Sequence, residues 1–381
     1  MAVGEGGPEG SRAFRLGHRP ALDGIRGLGM LSVVIFHTMT FLVDWYGPYG
    51  SSVLPGSFIA VDVFFALSGF LITSLLLEEW RRSGDLSFKR FYIRRALRLL
   101  PALYGMIVLA GIAFLFSGDA TLREFTHAVV KMLTYSSNFF IGKDRFLTEF
   151  FGQTWSLAIE EQFYIVWPIV LVALLVLLRR RPKAMAPVLA GVIALIVAWR
   201  IVLFDRTQLW SDVYYRTDAR FDQPLVGALL AVLLHFGIVT DKPRPWLGFV
   251  GLGGWMAATA LASPFHASYF QFVAPAMLIA SCATMLGVLH GKGIAAAILA
   301  WRPLRWLGRI SYTLYLVHVA IFELVARHLP GDGRNVERVV VANGLALVVT
   351  VIVHRAIEAP ALRLKDRWAP TPSRHVTVEP A

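Results

Sequence analysis

Windows of about twenty apolar residues recur along almost the whole chain, and about twenty residues are what a helix needs to cross a hydrocarbon layer of roughly 30 Å. They fall near 21–43, 57–80, 97–117, 155–178, 184–204, 219–238, 245–263, 270–290, 309–329 and 337–358. Lipid offers a backbone no hydrogen-bond partners, so such segments must satisfy themselves as helices. The predicted fold class is all-α: a polytopic, multi-pass cell-membrane protein with about ten transmembrane helices. Composition excludes the soluble alternative, because 56% of the residues are hydrophobic and 16% charged, against about 25% charged in an ordinary soluble domain. A single cysteine, Cys282, inside an apolar window rules out an intramolecular disulfide framework.

Lys and Arg outnumber Asp and Glu by 37 to 25. Such an excess can serve nucleic acid, but in a membrane protein it first reports topology. With ten spans and the N-terminus inside, the cytoplasmic connections are RRSGDLSFKRFYIRRALR, RRRPK, TDKPRP and the GKG…WRPLRWLGR stretch, all net basic. The opposite connections DWYGPYGSSVLPG and SPFHASY hold no Lys or Arg. Counting 124–142 as a further span would send Arg179, Arg180, Arg181 and Lys183 outside, and His127 and Lys131 interrupt it. Residues 118–154 are therefore read as a long external segment with a half-buried helix or a re-entrant turn. Topology then explains much of the +12 net charge, leaving the bilayer, not nucleic acid, as the expected partner.

The expected organisation is a disordered cytoplasmic tail over 1–20, a membrane domain over 21–360 and a cytoplasmic tail over 361–381. Residues 1–20 lack the apolar core and cleavage site of a removable signal, so the first span is expected to be an uncleaved anchor. The two halves show no repeat and no matching pair of broken helices of the kind transporters carry.

The first span, LDGIRGLGMLSVVIFHT, holds Asp23, Arg26 and His37. Ionisable groups at membrane depth cost about 2.5–3.5 kcal/mol each on insertion scales. Arg26 and His37 are eleven positions apart, which brings them within roughly 20° of one helix face and about 16 Å apart along the axis. That face must look into the bundle or a wet cavity. Asp23, one turn before Arg26, can pair with it. The bland alternative is an interfacial Arg–Asp pair and a hydrogen-bonded core histidine.

The fourth span opens TWSLAIEEQFYIVWP. With Trp155 as an interface anchor, Glu160 falls near the depth of His37, where a carboxylate can fix an imidazole tautomer and stabilise its charged form. Packing with some basic group is the alternative, and Glu161 is expected to face solvent or headgroups. Asp62 and the Ser68-Gly69 pair lie in the second span. Ser68 lacks the strand–turn–helix setting that activates a serine nucleophile, and small residues at a helix crossing explain the pair better. Arg94, Arg95 and Arg98 stand before the third span, Arg95 and Arg98 adjacent on a helix surface. Arginine forks bind phosphate, although positive-inside topology accounts for most basic residues here. Arg216, Asp218, Arg220 and Asp222 alternate in sign before the sixth span, as a self-satisfied cluster or a grip on a polar acceptor. His318, nine residues into the ninth span, is read as a core histidine bonded to a neighbouring helix. No residue set has metal-ligand spacing and no glycine-rich nucleotide loop is present, so no bound cofactor is expected.

Six stretches, LDGIRGLGMLSVVIFH, VDVFFALSGFLIT, FYIRRALRLLPA, TWSLAIEEQFYIVWP, TDARFDQPLVGALLA and GRISYTLYLVH, together resemble the acyltransferase-3 family of integral membrane O-acyltransferases. They run in order from about residue 20 to 360. The resemblance implies a ten-helix enzyme that takes an acyl group, acetyl by expectation, from cytoplasmic acyl-CoA as co-substrate. The acceptor it implies is a hydroxyl of a carbohydrate or glycosylated small molecule. The family's first-span arginine and histidine match Arg26 and His37, its paired arginines match Arg95 and Arg98, and its glutamate matches Glu160. Ala60 departs from the family's usual glycine, with slightly altered helix packing expected. Some relatives carry an esterase-like domain after the membrane part; this sequence ends within about twenty residues of its last span, so transfer is expected to be completed by the membrane domain or a separate partner.

The mechanism expected from these residues has His37 as general base, Glu160 orienting it, and Arg26 positioning CoA or steadying the carbonyl oxygen. Arg95 and Arg98 would hold the CoA phosphates. The rival is a proton-coupled exporter with a His37–Glu160–Asp62 relay; a non-catalytic scaffold leaves the deep ionisable groups unexplained.

Overall fold

Each apolar window folds as a helix, and there is no strand among the described residues, which in this computed structural model are 14–42, 54–117, 120–263, 266–329 and 335–368. The first three spans are α1 (Pro20–Leu42), α2 (Ala60–Ser83) and α3 (Phe88–Ser117), followed by α4 (Leu122–Leu133) and α5 (Arg145–Phe151). Then come α6 (Thr154–Leu177), α7 (Met185–Thr207), α8 (Trp210–Tyr214), α9 (Asp222–His235) and α10 (Pro245–Leu261). A π-helical turn, Tyr269–Val273, leads into α11 (Ala274–Val288), and α12 (Ile294–Leu299), α13 (Arg302–His328) and α14 (Asn335–Val353) follow. A second π-helical turn, His354–Glu358, continues into α15 (Ala359–Trp368).

Among the described residues, eight stretches are long and apolar enough to cross a membrane. The windows 219–238 and 245–263 yield shorter helices, α9 of 14 residues and α10 of 17. At 1.5 Å per residue α9 is about 21 Å long. It packs along α2 and α7 and is buried over most of its surface, so neighbouring helices rather than lipid enclose it.

Several helix pairs run parallel. The Asp23 carbonyl abuts Gly308 while His37 meets His318; Ser68 meets Glu160 while Thr73 meets Trp167; Asp62 meets Arg220 while Phe70 abuts Gly227. Ten alternating crossings demand this, because α1 and α13 are then first and ninth, and α2, α6 and α9 second, fourth and sixth. The short helices are thereby consistent with full passages of the chain.

α1 and α13 approach to backbone contact. A methyl group on Gly27 would come within 2.0 Å of the Leu304 carbonyl oxygen, and one on Gly308 within 1.9 Å of that of Asp23. This approach, which larger residues would prevent, presses the Arg26–His37 face of α1 against α13.

Helix α3 begins at Phe88, so Arg94, Arg95 and Arg98 lie on a helix running continuously into the span. The external segment contains α4, twelve residues long and too short to span. Thr121 and Glu124 form a capping box at its start, Ala128 and Met132 are buried, and His127 is exposed. Lys131 pairs with Asp144 at 2.5 Å. Phe146, Leu147, Phe150 and Phe151 bury α5. Residues 14–19, assigned to the tail from sequence, form no regular secondary structure but bury Phe14 and Leu16; the Leu16 N–H donates to Glu78 Oε1 at 2.6 Å. Pro20 already opens α1, residues 1–13 and 369–381 lie outside the described residues, and α15 occupies 361–368.

Candidate active site

Arg26 faces a cavity of about 330 Å³ enclosed by α1, α2, α3, α6 and α13, with Ser68, Arg98, Glu160, Tyr312 and Tyr315 on its walls. A second space of about 250 Å³ shares Asp23, Arg26, Ser68, Arg98 and Glu160, and extends past His18, Arg95 and Tyr164. The expected Asp23–Arg26 pair does not form. Asp23 instead lies 3.4 Å from His18, and Arg26 makes no hydrogen bond or ion pair among the described residues. Arg98 likewise has none, although it borders both spaces. Two guanidinium groups thus face the same cavity without a protein anion bonded to them.

The paired arginines divide the work that sequence gave them jointly. Arg95 donates to Glu161 Oε1 at 2.7 Å, and its guanidinium stacks 3.1 Å from the Tyr164 ring centroid. Glu161 is only 5% exposed, which overturns the expectation that it meets solvent or headgroups. A carboxylate buried at that depth needs a charge partner, and Arg95 supplies it. Glu160, one residue earlier, accepts from Ser68 Oγ and Tyr164 OH and sits 4.0 Å from Arg95. Gly69 does serve a crossing, against Pro224 of α9, but Ser68 points into the cavity as a member of a Ser–Tyr–Glu cluster.

No hydrogen bond joins His37 to Glu160 among the described residues; the expected carboxylate partner is replaced by a histidine. His318 Nε2 lies 3.0 Å from His37 Nδ1, and His318 Nδ1 lies 2.9 Å from the Leu314 carbonyl. The geometry selects tautomers. A carbonyl only accepts, so His318 carries its proton on Nδ1 and offers Nε2 as acceptor. His37 then carries its proton on Nδ1, shared between His318 and the Val33 carbonyl at 3.1 Å, which leaves the lone pair on His37 Nε2. Glu160 fails to reach it because its side of α6 meets α2 and α3, whereas the His37 face of α1 is covered by α13. Tyr315 links the two regions: its ring centroid is 5.8 Å from that of His318, and it lines the cavity with Glu160.

The alternating charges before α9 separate into independent pairs. Arg220 bonds Asp62, and Tyr269 OH donates to Asp62 at 3.0 Å; Arg200 meets Asp222 at 2.6 Å. Both ion pairs are fully enclosed and tie the start of α9 to α2 and α7. Arg216 and Asp218 form an exposed pair at 2.8 Å. The polar atoms of Asp62 are thus engaged away from the cavity.

Sequence reading missed Arg309, Tyr312 and Tyr315, which precede His318 at intervals of three on α13 and line the cavity. That spacing, visible in GRISYTLYLVH, was the available signal. It also missed Glu358, placed at the cavity by the π-helical turn, where it accepts from Thr313 Oγ1 at 2.5 Å. Nothing in the sequence marks a π-turn.

A family model described as an acyltransferase domain matches residues 19–355. The chain is similar to the peptidoglycan O-acetyltransferase OatA of Listeria monocytogenes, 32% identical over 357 residues, 90% of this chain and 55% of that protein. It is similar also to the putative peptidoglycan O-acetyltransferase YrhL of Bacillus subtilis, 35% identical over 334 residues, 80% of this chain and 49% of that one. A putative O-acetyltransferase of Staphylococcus aureus, SAS0844, is 30% identical over 365 residues, 91% of this chain and 58% of the relative. The chain spans about half the length of these curated relatives, and no solved structure matches it. With the family match running from α1 to the second π-helical turn, the chain belongs to the acyltransferase-3 family of membrane proteins.

Proposed function

We propose that this protein transfers an acyl group, acetyl in the first instance, from acyl-CoA to a hydroxyl of a carbohydrate or glycosylated molecule. The observation that carries this reading is the cavity into which Arg26 and Arg98 turn with no hydrogen bond or ion pair to a protein group among the described residues, beside the Glu160–Ser68–Tyr164 cluster. Guanidinium groups in that state fit the phosphates of a CoA donor, which enters from the basic, cytoplasmic end. The names of the relatives support acetyl transfer to a saccharide.

In this mechanism His37 Nε2 takes the proton of the acceptor hydroxyl as its oxygen attacks the thioester carbonyl. The carbon–sulfur bond breaks, and the CoA thiolate receives the proton from His37. His318 is a positioning residue that holds His37 in the required tautomer, the part first assigned to Glu160. Glu160 orders Ser68 and Tyr164 on the cavity wall. About 16 Å along α1 separates Arg26 from His37, too far for both to act on one carbonyl, so Arg26 and Arg98 hold the donor phosphates and Arg95 secures Glu161. An exporter relay through His37, Glu160 and Asp62 finds no support, because these groups belong to three separate hydrogen-bonded sets.

The test is incubation of the reconstituted protein with radiolabelled acetyl-CoA and a saccharide. Label on the glycan, lost in His37→Ala at equal expression, is the expected result. Glycan flux across vesicles without acetylated product would sink the proposal.

A further inference from the structure

A separate, larger depression opens where α6 and α9 begin, at the end of the bundle opposite the α2–α3 connection. It encloses about 1120 Å³ between the α4–α6 and α7–α9 connections. Phe139, Trp210, Tyr215 and Phe221 line it together with Asn138, Arg216 and Asp218. The Trp210 and Tyr215 ring centroids are 5.4 Å apart, and Phe139 is 52% exposed. Ring faces of this kind pack against the C–H faces of pyranose sugars, while adjacent polar forks bond the hydroxyls.

The polar wall is built rather than loose. Arg216 holds Asp218 through two hydrogen bonds of 2.9 and 2.8 Å, and the Trp199 indole donates to the same carboxylate at 3.0 Å. Hydrogen bonds from Arg216 hold the Asp218 carboxyl below its ordinary pKa, so the pair stays ionised. Asn138 donates to the Tyr215 carbonyl and to Thr217 Oγ1, both at 3.1 Å. Thr217 in turn donates to Gln162 at 2.6 Å, two residues along α6 from Glu160.

Charge distinguishes this groove from the Arg26 cavity. Lys143 and Arg216 are balanced by Asp212 and Asp218, so an anionic headgroup or nucleotide finds no excess of cations. The volume exceeds the roughly 300–1,000 Å³ of a small-molecule pocket, which suits several linked units. We infer that this groove is a subsite for a neutral, hydroxyl-rich glycan chain, holding the acceptor on the face opposite the donor's entrance. Its role as acceptor site rests on the acyl-transfer reading; its binding of a glycan does not.

The experiment measures equilibrium binding of chitotetraose and maltotetraose to the full purified chain by calorimetry, alongside acetyl-CoA. At least one oligosaccharide should bind, weakening tenfold or more in Trp210→Ala and in Asp218→Asn. Acetyl-CoA affinity should stay unchanged in both variants, which also reports that they are folded. Binding of neither oligosaccharide by wild-type protein that binds acetyl-CoA overturns the inference, as does equal oligosaccharide binding by wild type and both variants. Oligosaccharide that binds but is never acetylated would retain the groove and reject acyl transfer.

Discussion

His318 Nε2 faces His37 Nδ1 across 3.0 Å, and the Leu314 carbonyl at the far side of His318 fixes which nitrogen of each ring carries its proton. A base oriented by a second group that itself stays in one tautomer is the logic of a hydrolytic triad, with imidazole in place of carboxylate. His318→Leu removes the acceptor and should lower kcat about 10²-fold or more, with the KM for acetyl-CoA little changed. His318→Gln keeps an acceptor near the Nε2 position and should recover most of the rate. Equal loss in both variants would reduce His318 to a packing residue; steady-state kinetics on the two decide it.

Arg98 and Arg95 should behave differently despite sitting one turn apart. Arg98→Ala removes a cation that makes no hydrogen bond or ion pair among the described residues, so folding should be unaffected. A lost charge-assisted hydrogen bond is worth about 1.5–3 kcal/mol, which predicts a rise in donor KM of about 10- to 150-fold. Arg95→Ala strands the buried Glu161 carboxylate and should cost about 3–5 kcal/mol of stability. The double change Arg95→Met with Glu161→Leu should regain most of that loss. Thermal unfolding in detergent together with donor titration separates the two arginines, and matching phenotypes would count against the division.

Asp62 offers a direct contrast between a structural and a proton-carrying role. Its carboxylate is bonded to Arg220 and Tyr269, all buried. Asp62→Asn keeps hydrogen-bonding capacity but leaves Arg220 without its counter-ion, so the melting temperature should fall. Acyl transfer per folded molecule should persist within a few-fold. Abolished turnover in folded protein would restore Asp62 to the reaction path.

Much of the architecture was legible because hydrophobic length is a one-dimensional property. Ten windows read from the sequence appear as ten helices. Lengths failed at α9, because enclosure by α2 and α7 frees a helix from spanning lipid alone, and no local pattern reports enclosure. Candidate site residues stand out where an ionisable group inside an apolar run is itself anomalous, as with Arg26, His37 and Glu160. Their partners were not legible. Glu160 and Glu161 differ by 100° of helical rotation, and only the neighbouring helices decide which meets Arg95. His37 was expected to meet a carboxylate, and it meets His318 because the close approach of α1 to α13 is set by glycines whose role a single sequence does not reveal.

That approach can be tested by a pair of glycine substitutions with opposite expected signs. Alanine in place of glycine within a helix ordinarily stabilises by about 0.5–1 kcal/mol, because the unfolded backbone loses freedom. Gly344 of α14 has no atom within 4 Å of where its methyl would project, so Gly344→Ala should raise the melting temperature slightly and leave kinetics unchanged. At Gly27 the same methyl would lie 2.0 Å from the Leu304 carbonyl oxygen, and backbone cannot swing aside as a side chain can. Overpacking of this kind costs about 1–3 kcal/mol and must push α1 from α13. Gly27→Ala should therefore lower the melting temperature and, by stretching the His37–His318 hydrogen bond, reduce kcat in the direction of His318→Leu. Unchanged kcat in Gly27→Ala, despite measurable destabilisation, would uncouple the helix contact from the histidine pair.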